Sequence, residues 1–251
     1  MKYLASSITS VSIIQNLATL VTLVGLFFVD ITAAALVVLL ISYFLYSGIG
    51  ISMMMHRYWT HKSFEFKFPW MKWAFNWFAL MAGRGSILGW VYVHREHHAF
   101  SDTERDPHSP VHKGWRVFFF HMIGYKGTLN KKVVRDLLTR EQVNIDKYYV
   151  VIVALGVTAL ASISPWLAFW GWAVPVTLVK VAWSSFIYFG HIFGYQNHET
   201  RDNSKNCWPY ALLMWGEGWH NNHHANPRAW NLREKWWEID IISYVIRLVK
   251  K

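Results

Sequence analysis

Long uncharged runs of apolar residues dominate the chain. Residues 3–29 and 31–55 contain no charged residue, and residues 148–190 contain only Lys180. A helix needs roughly 20 mostly apolar residues to cross the hydrocarbon core of a membrane, so the first two runs each fit one crossing and the third fits two. We therefore expect an all-α integral membrane protein with four transmembrane helices. Their predicted bounds are residues 8–29, 31–53, 148–163 and 165–187.

The polar residues fall into two segments that flank these predicted spans. Residues 56–147 carry 15 Lys and Arg against 8 Asp and Glu, and residues 191–251 carry 8 against 6. Basic segments beside membrane spans stay on the cytoplasmic side and contact anionic lipid head groups. Since four spans return the chain to the side where it started, both termini and both polar segments are expected in the cytoplasm. The sequence thus predicts one domain, residues 1–251, whose cytosolic helical cap touches membrane lipids rather than nucleic acid.

Two further stretches are apolar but too short or too interrupted to span. Residues 70–90 contain Lys72, Arg84 and several glycines, which favours an interfacial or re-entrant helix pair. Residues 239–249 have the pattern of a short amphipathic helix that lies on the membrane. Cys207 is the only cysteine, so no disulfide can form within the chain.

Histidines carry the chemistry of this sequence. Of 13 histidines, nine lie in four short segments: His56 and His61; His94, His97 and His98; His191; His220, His223 and His224. In the second and the last of these segments the spacing is i, i+3 and i+4, which places three rings on one helix face. We therefore expect each of these two clusters to present three imidazoles to one point. The rings of the first segment, five residues apart, are expected to converge if the helix end unwinds slightly.

This histidine pattern predicts a metal site. Imidazole is a ligand for zinc, copper, iron and nickel, and nine rings are too many for one ion but suit two with a position left open. Spacing alone leaves the role of the isolated His191 undecided. The remaining histidines are interpreted as surface or hydrogen-bonded core residues, and they are His108, His112, His121 and His198.

Carboxylates are expected beside the rings rather than on the metal. Soluble di-iron proteins use two Glu-x-x-His motifs, and this chain has a single match, Glu217 to His220. A carboxylate that accepts a hydrogen bond from a ligand ring orients that ring. The candidates for this role are Glu217, Glu96, Asp102 and Asp106, with solvated surface charge as the alternative.

One His-x-x-x-x-His box and two His-x-x-His-His boxes, in this order, resemble the membrane fatty acyl desaturases of the stearoyl type. Residues 99–110, 191–195 and 216–219 are similar to the family's stretches around these boxes, and the resemblance covers roughly residues 35–227. It implies that two iron ions are bound by nine histidines. They are His56, His61, His94, His97, His98, His191, His220, His223 and His224.

The resemblance also implies the reaction. Such an enzyme uses O₂ and external electrons to introduce a cis double bond, delta-9 in this branch, into an acyl-lipid, acyl-CoA or acyl-carrier substrate. The residues within the boxes are similar to those of bacterial and cyanobacterial desaturases. No haem-binding His-Pro-Gly-Gly stretch is present, so a separate electron donor is expected, either a ferredoxin or a cytochrome b5-like protein. One position departs from the pattern: Ile187 stands where some members carry an asparagine that reaches one iron through water.

Two other functions fit parts of the pattern. Membrane hydroxylases, ketolases and alkane monooxygenases share a histidine-rich di-iron centre but insert oxygen, and the box spacing favours desaturation over them. A membrane metal transporter needs ionisable residues along its spans. Lys180 is the only clear charge within a predicted span, so transport is disfavoured.

Overall fold

The computed structural model describes residues 2–118 and 130–251, with side chains from residue 10 onward. Within these residues the regular structure is helical and β-pairing is limited to isolated bridges. His121 lies outside the described residues. The principal helices are α1 (Lys2–Gly25), α2 (Ala33–Thr60), α3 (Met71–Met81), α4 (Ile87–Phe100), α5 (Arg140–Ile163), α6 (Pro165–Phe189), α7 (Trp208–Leu213), α8 (His220–Ala225) and α9 (Ile241–Val249). Short helical turns at Pro110–Lys113, Gly114–Phe118 and Lys131–Leu137 join α4 to α5.

Three helices in the described part of the chain are long and apolar enough to cross a membrane. They are α2 with 28 residues, α5 with 24 and α6 with 25. The predicted span 8–29 overlaps α1, and within the residues whose side chains are described the apolar part of α1 is Ser10–Gly25. Three apolar helices of spanning length are therefore present, and a fourth span in α1 stays a prediction.

The ends of these helices differ from the predicted bounds for local reasons. Helix α5 begins at Arg140 rather than near residue 148, because the side chain of Thr139 caps it by accepting a hydrogen bond from the backbone N–H of Gln142. It ends at Ile163, and Pro165 opens α6, as expected from a residue that lacks an N–H. Helix α2 continues past residue 53 to Thr60 and thereby carries the first histidine of the site, His56, inside the helix.

The outer faces of these helices are apolar and uncovered. Leu17 of α1, Leu40 of α2, Leu155 of α5 and Val181 of α6 are all exposed. Exposed aliphatic faces on several helices of spanning length are expected where lipid, rather than water, is the surrounding medium. This arrangement agrees with a membrane protein.

The C-terminal half of α2 is wound as a π-helix, from Phe44 to Thr60. In this winding each N–H bonds to the carbonyl five residues earlier, so residues i and i+5 stand one above the other. The N–H of His61 accordingly donates to the carbonyl of His56 at 3.2 Å. A π-helix is wound less tightly than an α-helix, so the convergence of the two rings agrees with the slight unwinding predicted for this helix end.

Helices α3 and α4 form the helix pair predicted for residues 70–90. Gly83 and Gly85 turn the chain between them with φ angles of 71° and 99°, which residues with a Cβ rarely adopt. Helix α4 runs on to Phe100 and carries the second histidine cluster. Helix α3 packs on the π-helical part of α2. The position of the pair relative to a membrane stays a prediction.

Helix α9 occupies most of the predicted amphipathic stretch, residues 239–249. Ile242 and Ile246 are buried, whereas Tyr244 and Leu248 are exposed. The carboxylate of Asp240 caps the helix by accepting from the N–H of Ser243. One apolar face of the helix is therefore packed against the protein, and its contact with a lipid surface stays a prediction.

Replacing Gly50 by Ala is expected to destabilise the packing of α3 on α2. A Cβ at Gly50 would lie 2.6 Å from the carbonyl oxygen of Phe78, so the backbone of α3 must move. Overpacking of this kind costs about 1–3 kcal/mol. Thermal unfolding in detergent measures the loss. Gly171→Ala is the matched control, because its Cβ would approach side chains rather than backbone, Leu167 at 3.3 Å and Val38 at 3.6 Å. An equal loss in both variants would contradict the explanation.

Candidate metal centre

Four segments of the chain bring nine histidines together in two adjoining groups. The five-histidine group consists of His56, His61, His94, His98 and His223. The four-histidine group consists of His97, His191, His220 and His224. In each group one ring nitrogen per residue lies within 4.8 Å of all the others. These are the nine histidines selected from the sequence.

In the five-histidine group the Nε2 atoms point at one another. The Nε2 atom of His223 lies 2.9 Å from that of His56 and 2.9 Å from that of His98. The Nε2 atom of His94 lies 3.1 Å from those of His61 and His98. Helices α2, α4 and α8 thus direct five rings at one small volume.

The four-histidine group has the same inward arrangement. The Nε2 atoms of His220 and His191 are 3.0 Å apart. The ring of His224 lies 4.3 Å from that of His220, centre to centre, and its buried Nε2 atom has no hydrogen-bond partner. His97 approaches from α4, with its ring 5.1 Å from that of His191.

Each His-x-x-His-His box is divided between the two groups. His94 and His98 enter the five-histidine group and His97 the four-histidine group; on α8, His223 enters the first, and His220 and His224 enter the second. Successive residues on a helix point about 100° apart, so adjacent histidines reach different points. The expectation that each box presents three rings to one point was wrong. The divided boxes instead hold the two groups side by side.

Carboxylates lie behind the rings, on the Nδ1 atoms. Nδ1 of His97 is 3.0 Å from Asp106, and Nδ1 of His191 is 3.0 Å from Asp102. Nδ1 of His56 is 2.5 Å from Glu217. Three of the four predicted carboxylates therefore contact rings of the two groups.

The fourth candidate behaves differently, and one carboxylate was missed. Glu96 forms an ion pair with the guanidinium of Arg105 at 3.4 Å. Asp202 takes a position that sequence reasoning did not find, 2.6 Å from Nδ1 of His224. It is 22 residues from His224 in a loop, so no local spacing points to it.

The carboxylates orient the rings that they contact, and burial acts on the others. A carboxylate that accepts the Nδ1 proton leaves the lone pair of Nε2 directed inward. Burial first, and repulsion between neighbouring rings second, lowers the pKa values of His94, His98, His220 and His223 well below the ordinary histidine value. Neutral imidazole is the form that binds a metal ion.

Glu217 contacts several polar side chains besides His56. Burial raises its pKa, but the neighbouring His56 and Arg57 outweigh burial and lower the pKa to about 2. Ser52 donates to Glu217, and the guanidinium of Arg57 bridges Glu217 at 3.0 Å to Asp240 at 2.7 Å. The carboxylate is therefore ionised and immobile behind His56.

The donor set fits two metal ions. Buried imidazoles whose ring nitrogens converge on one point repel one another unless a cation lies between them, and among the described residues each of the two groups consists of histidines alone. All-imidazole sets suit first-row transition metals rather than magnesium or calcium. His112 and His198 lie outside both groups. The ring of His112 is hydrogen-bonded to the backbone carbonyl of Asp102, and that of His198 to the carboxylate of Glu234.

A largely apolar cavity opens on both groups. Its walls include Trp90, Trp183, Phe186 and Ile187, together with histidines of both groups. Ile187, which departs from the desaturase pattern, thus presents a hydrocarbon side chain to the cavity. His108 was interpreted as a surface or hydrogen-bonded core residue. It lines the cavity, and its ring stacks on that of His97 with the ring centres 4.5 Å apart.

Apolar helices of membrane-spanning length and two buried histidine groups beside an apolar cavity define a membrane enzyme of the histidine-box class. The fatty acid desaturase family profile matches residues 31–242. The chain is 36% identical over 227 residues to the sn-1 stearoyl-lipid 9-desaturase of Synechocystis sp., covering 82% of this chain and 66% of that protein. It is 31% identical to the Anabaena variabilis enzyme of the same name, covering 86% and 81%. It is 33% identical to the Delta-9 acyl-lipid desaturase 1 of Arabidopsis thaliana, covering 88% and 74%.

The chain therefore belongs to the fatty acid desaturase family. This confirms the family that its histidine boxes resemble, and with it the class of enzyme, an oxidoreductase that desaturates fatty acyl chains.

Replacing Asp202 by Asn is expected to weaken metal binding at the four-histidine group by about 10–100-fold, because His224 loses the carboxylate that orients it. Metal content per protein, measured by mass spectrometry during titration with a chelator, reports the change. Glu199→Gln alters an exposed carboxylate nearby and serves as the control. Unchanged metal retention in the Asp202 variant would show that this carboxylate does not support the ring.

Proposed function

We propose that this chain is an O₂-dependent fatty acyl desaturase that introduces a cis double bond, at the delta-9 position, into a saturated acyl chain. The observation that carries the proposal is the pair of histidine groups opening on one apolar cavity. The relatives' names support the reaction and the position, and they favour an acyl-lipid over an acyl-CoA or acyl-carrier substrate.

Two iron ions are the metals that the family uses with O₂. The five-histidine group would hold one ion and the four-histidine group the other, through the inward Nε2 atoms. When bound, iron with O₂ supplies the oxidising power that removes hydrogen from an unactivated methylene, which no side-chain base can do at neutral pH. The ligand assignment rests on the convergence of the nine rings.

The protein's own contribution is position and exclusion of water. Trp90, Trp183, Phe186 and Ile187 form walls against which a hydrocarbon chain packs with one pair of carbons beside the histidines. The carboxylates Asp102, Asp106, Asp202 and Glu217 keep the rings in one tautomer and orientation through their Nδ1 atoms. Rigid rings and a dry cavity confine oxidation to the positioned carbons.

The proposed placement in the membrane has four spans, with α1 as the first. Both termini and the histidine groups would lie on the cytoplasmic side within a single domain, residues 1–251. The basic character of the two polar segments and the absence of charge from most of α2 and α6 support this orientation.

Electrons would come from a separate protein. An open recess reaches His61 of the five-histidine group, and its lining includes Lys62, Arg95 and Arg228. Asp136 pairs with Lys62 and Arg95, which leaves the recess with a net positive charge. A small acidic carrier, ferredoxin or a cytochrome b5-like protein, is the partner that this charge favours.

The central test is the lipid composition of a desaturase-deficient host that expresses the chain. Gas chromatography with mass spectrometry is expected to detect a new monounsaturated acid, because two hydrogens are removed without oxygen insertion. The His94→Ala, His98→Ala double variant is expected to abolish it, whereas His198→Ala, a change outside both histidine groups, is expected to retain it.

A hydroxylated acid in the same experiment would favour the alternative, a di-iron membrane hydroxylase. Failure to form any product, with protein and an electron donor both present, would contradict the proposed reaction.

Reversing the charge of the recess is expected to slow reduction by a protein donor. The Lys62→Glu, Arg228→Glu variant should be reduced by ferredoxin about ten-fold more slowly at low salt, because electrostatic steering is lost. Reduction by dithionite should be unchanged, and Arg233→Glu, at an exposed site away from the recess, is the control. Stopped-flow absorbance follows both reactions; equal slowing with dithionite would mean that the variant damages the metal centre instead.

A further inference from the structure

Arg84 is a buried cation in the wall of the substrate cavity. It is 2% exposed and shares the cavity with histidines of both groups. It stands in the turn between α3 and α4, where Gly83 and Gly85 adopt positive φ. The N–H of Gly85 donates to the hydroxyl of Tyr149 at 3.1 Å, which holds this turn against α5. The fold thus presents the arginine at a defined place.

Two of the three guanidinium nitrogens of Arg84 lack hydrogen-bond partners among the described residues. Its Nε and Nη1 atoms are buried without a hydrogen bond, and no carboxylate there forms an ion pair with it. Asp146 bonds to the neighbouring Ser86 instead. A guanidinium keeps its proton at any physiological pH, and burying it unpaired is costly. Such a group in a cavity wall calls for a ligand that completes its hydrogen bonds.

The cavity indicates what that ligand is. The planar fork of N–H donors matches the oxygens of a carboxylate or a carbonyl. Trp90, Trp183 and Phe186 offer apolar surface to a hydrocarbon. A hydrocarbon chain that carries an oxygen acceptor satisfies both parts of the wall, and an acyl group has this composition.

Arg84 and the histidines line this cavity from different segments of the chain. Helix α4 begins at Ile87, and His94 follows seven residues later, which corresponds to about 10 Å along the helix axis. An extended chain covers such a distance in roughly eight bonds. An oxygen held by Arg84 would therefore determine which methylenes reach the histidines.

We propose that Arg84 binds a carboxylate or carbonyl oxygen of the acyl substrate inside the cavity and thereby sets the position of the double bond. The inference rests on the proposed desaturase function and adds a polar anchor to it. The oxygen belongs either to the carboxyl end of the reacting chain or to an oxygenated group farther along the chain, and the experiments separate these sources.

The first experiment measures binding and needs no catalysis. Purified full-length protein in detergent is dialysed against labelled octanoate, with methyl octanoate and octane as competitors. Arg84→Gln is expected to bind octanoate at least about ten-fold more weakly, because a charged hydrogen-bonded pair is lost. Arg84→Lys is expected to retain part of the affinity, and Arg140→Gln, an exposed arginine on α5, all of it. Equal octanoate affinity in wild type and Arg84→Gln would overturn the proposal.

Thermal stability separates ligand binding from a structural role. Without ligand, Arg84→Gln is expected to melt at or above the wild-type temperature, because an uncompensated buried charge has been removed. Octanoate should raise the melting temperature of the wild type and leave that of Arg84→Gln unchanged. If the variant melts lower and octanoate stabilises both proteins equally, the guanidinium serves the fold and the proposal fails.

The second experiment examines the products in the desaturase-deficient host. With unchanged metal content, Arg84→Gln is expected to yield a mixture of double-bond positions where the wild type yields one. If the effect appears with plain octadecanoate, the carboxyl end is the group bound. If it appears only with a chain oxygenated at its far end, that group is bound. The same isomers in the same yield from both substrates would contradict the inference. If no protein forms product, the proposed function fails, while octanoate binding still decides the role of Arg84.

Discussion

The structure depends on holding nine imidazoles with ring nitrogens facing one another in two adjoining groups. Such rings repel each other and cannot satisfy their inward nitrogens within the protein, so their outer nitrogens must be firmly held. Carboxylates behind four of the rings provide this restraint, and the network of Arg57, Glu217 and Asp240 extends it. That network joins the π-helical part of α2, the segment before α8 and the start of α9. The helices around the site are thus tied together by the same contacts that orient the rings.

The arrangement explains why the site lies where apolar helices end. Helix α2 carries His56 and α6 ends just before His191, so two long apolar helices deliver histidines directly to the two groups. Helices α4 and α8 complete both groups, because the histidine box on each helix contributes rings to the five-histidine group and to the four-histidine group. A cavity that opens on both groups is then bounded by aromatic residues of α4 and α6. The apolar character of this wall suits a hydrocarbon substrate, and Arg84 is the polar exception within it.

Much of this architecture followed from pattern alone. Uncharged runs located α2, α5 and α6, and the glycine-interrupted stretch located the α3–α4 pair. The histidine boxes selected the nine rings that converge and the family to which the chain belongs. Boundaries were less predictable, since Thr139 starts α5 early and the π-helix carries α2 on to Thr60. These differences arise from capping and helical winding, which hydrophobic periodicity does not record.

The sequence by itself determined which side chains carry the chemistry, because metal-binding residue types and apolar runs are properties of local composition. Tertiary structure decided how they are combined. The division of His97 from His98 depends on helix rotation, and the contact of Asp202 with His224 joins a loop to a helix across 22 residues. The burial of Arg84 in the cavity wall depends on how the α3–α4 turn packs against α5. Each of these facts depends on how segments that are distant in the sequence are placed in space. The spacing of residues along the chain does not report that placement.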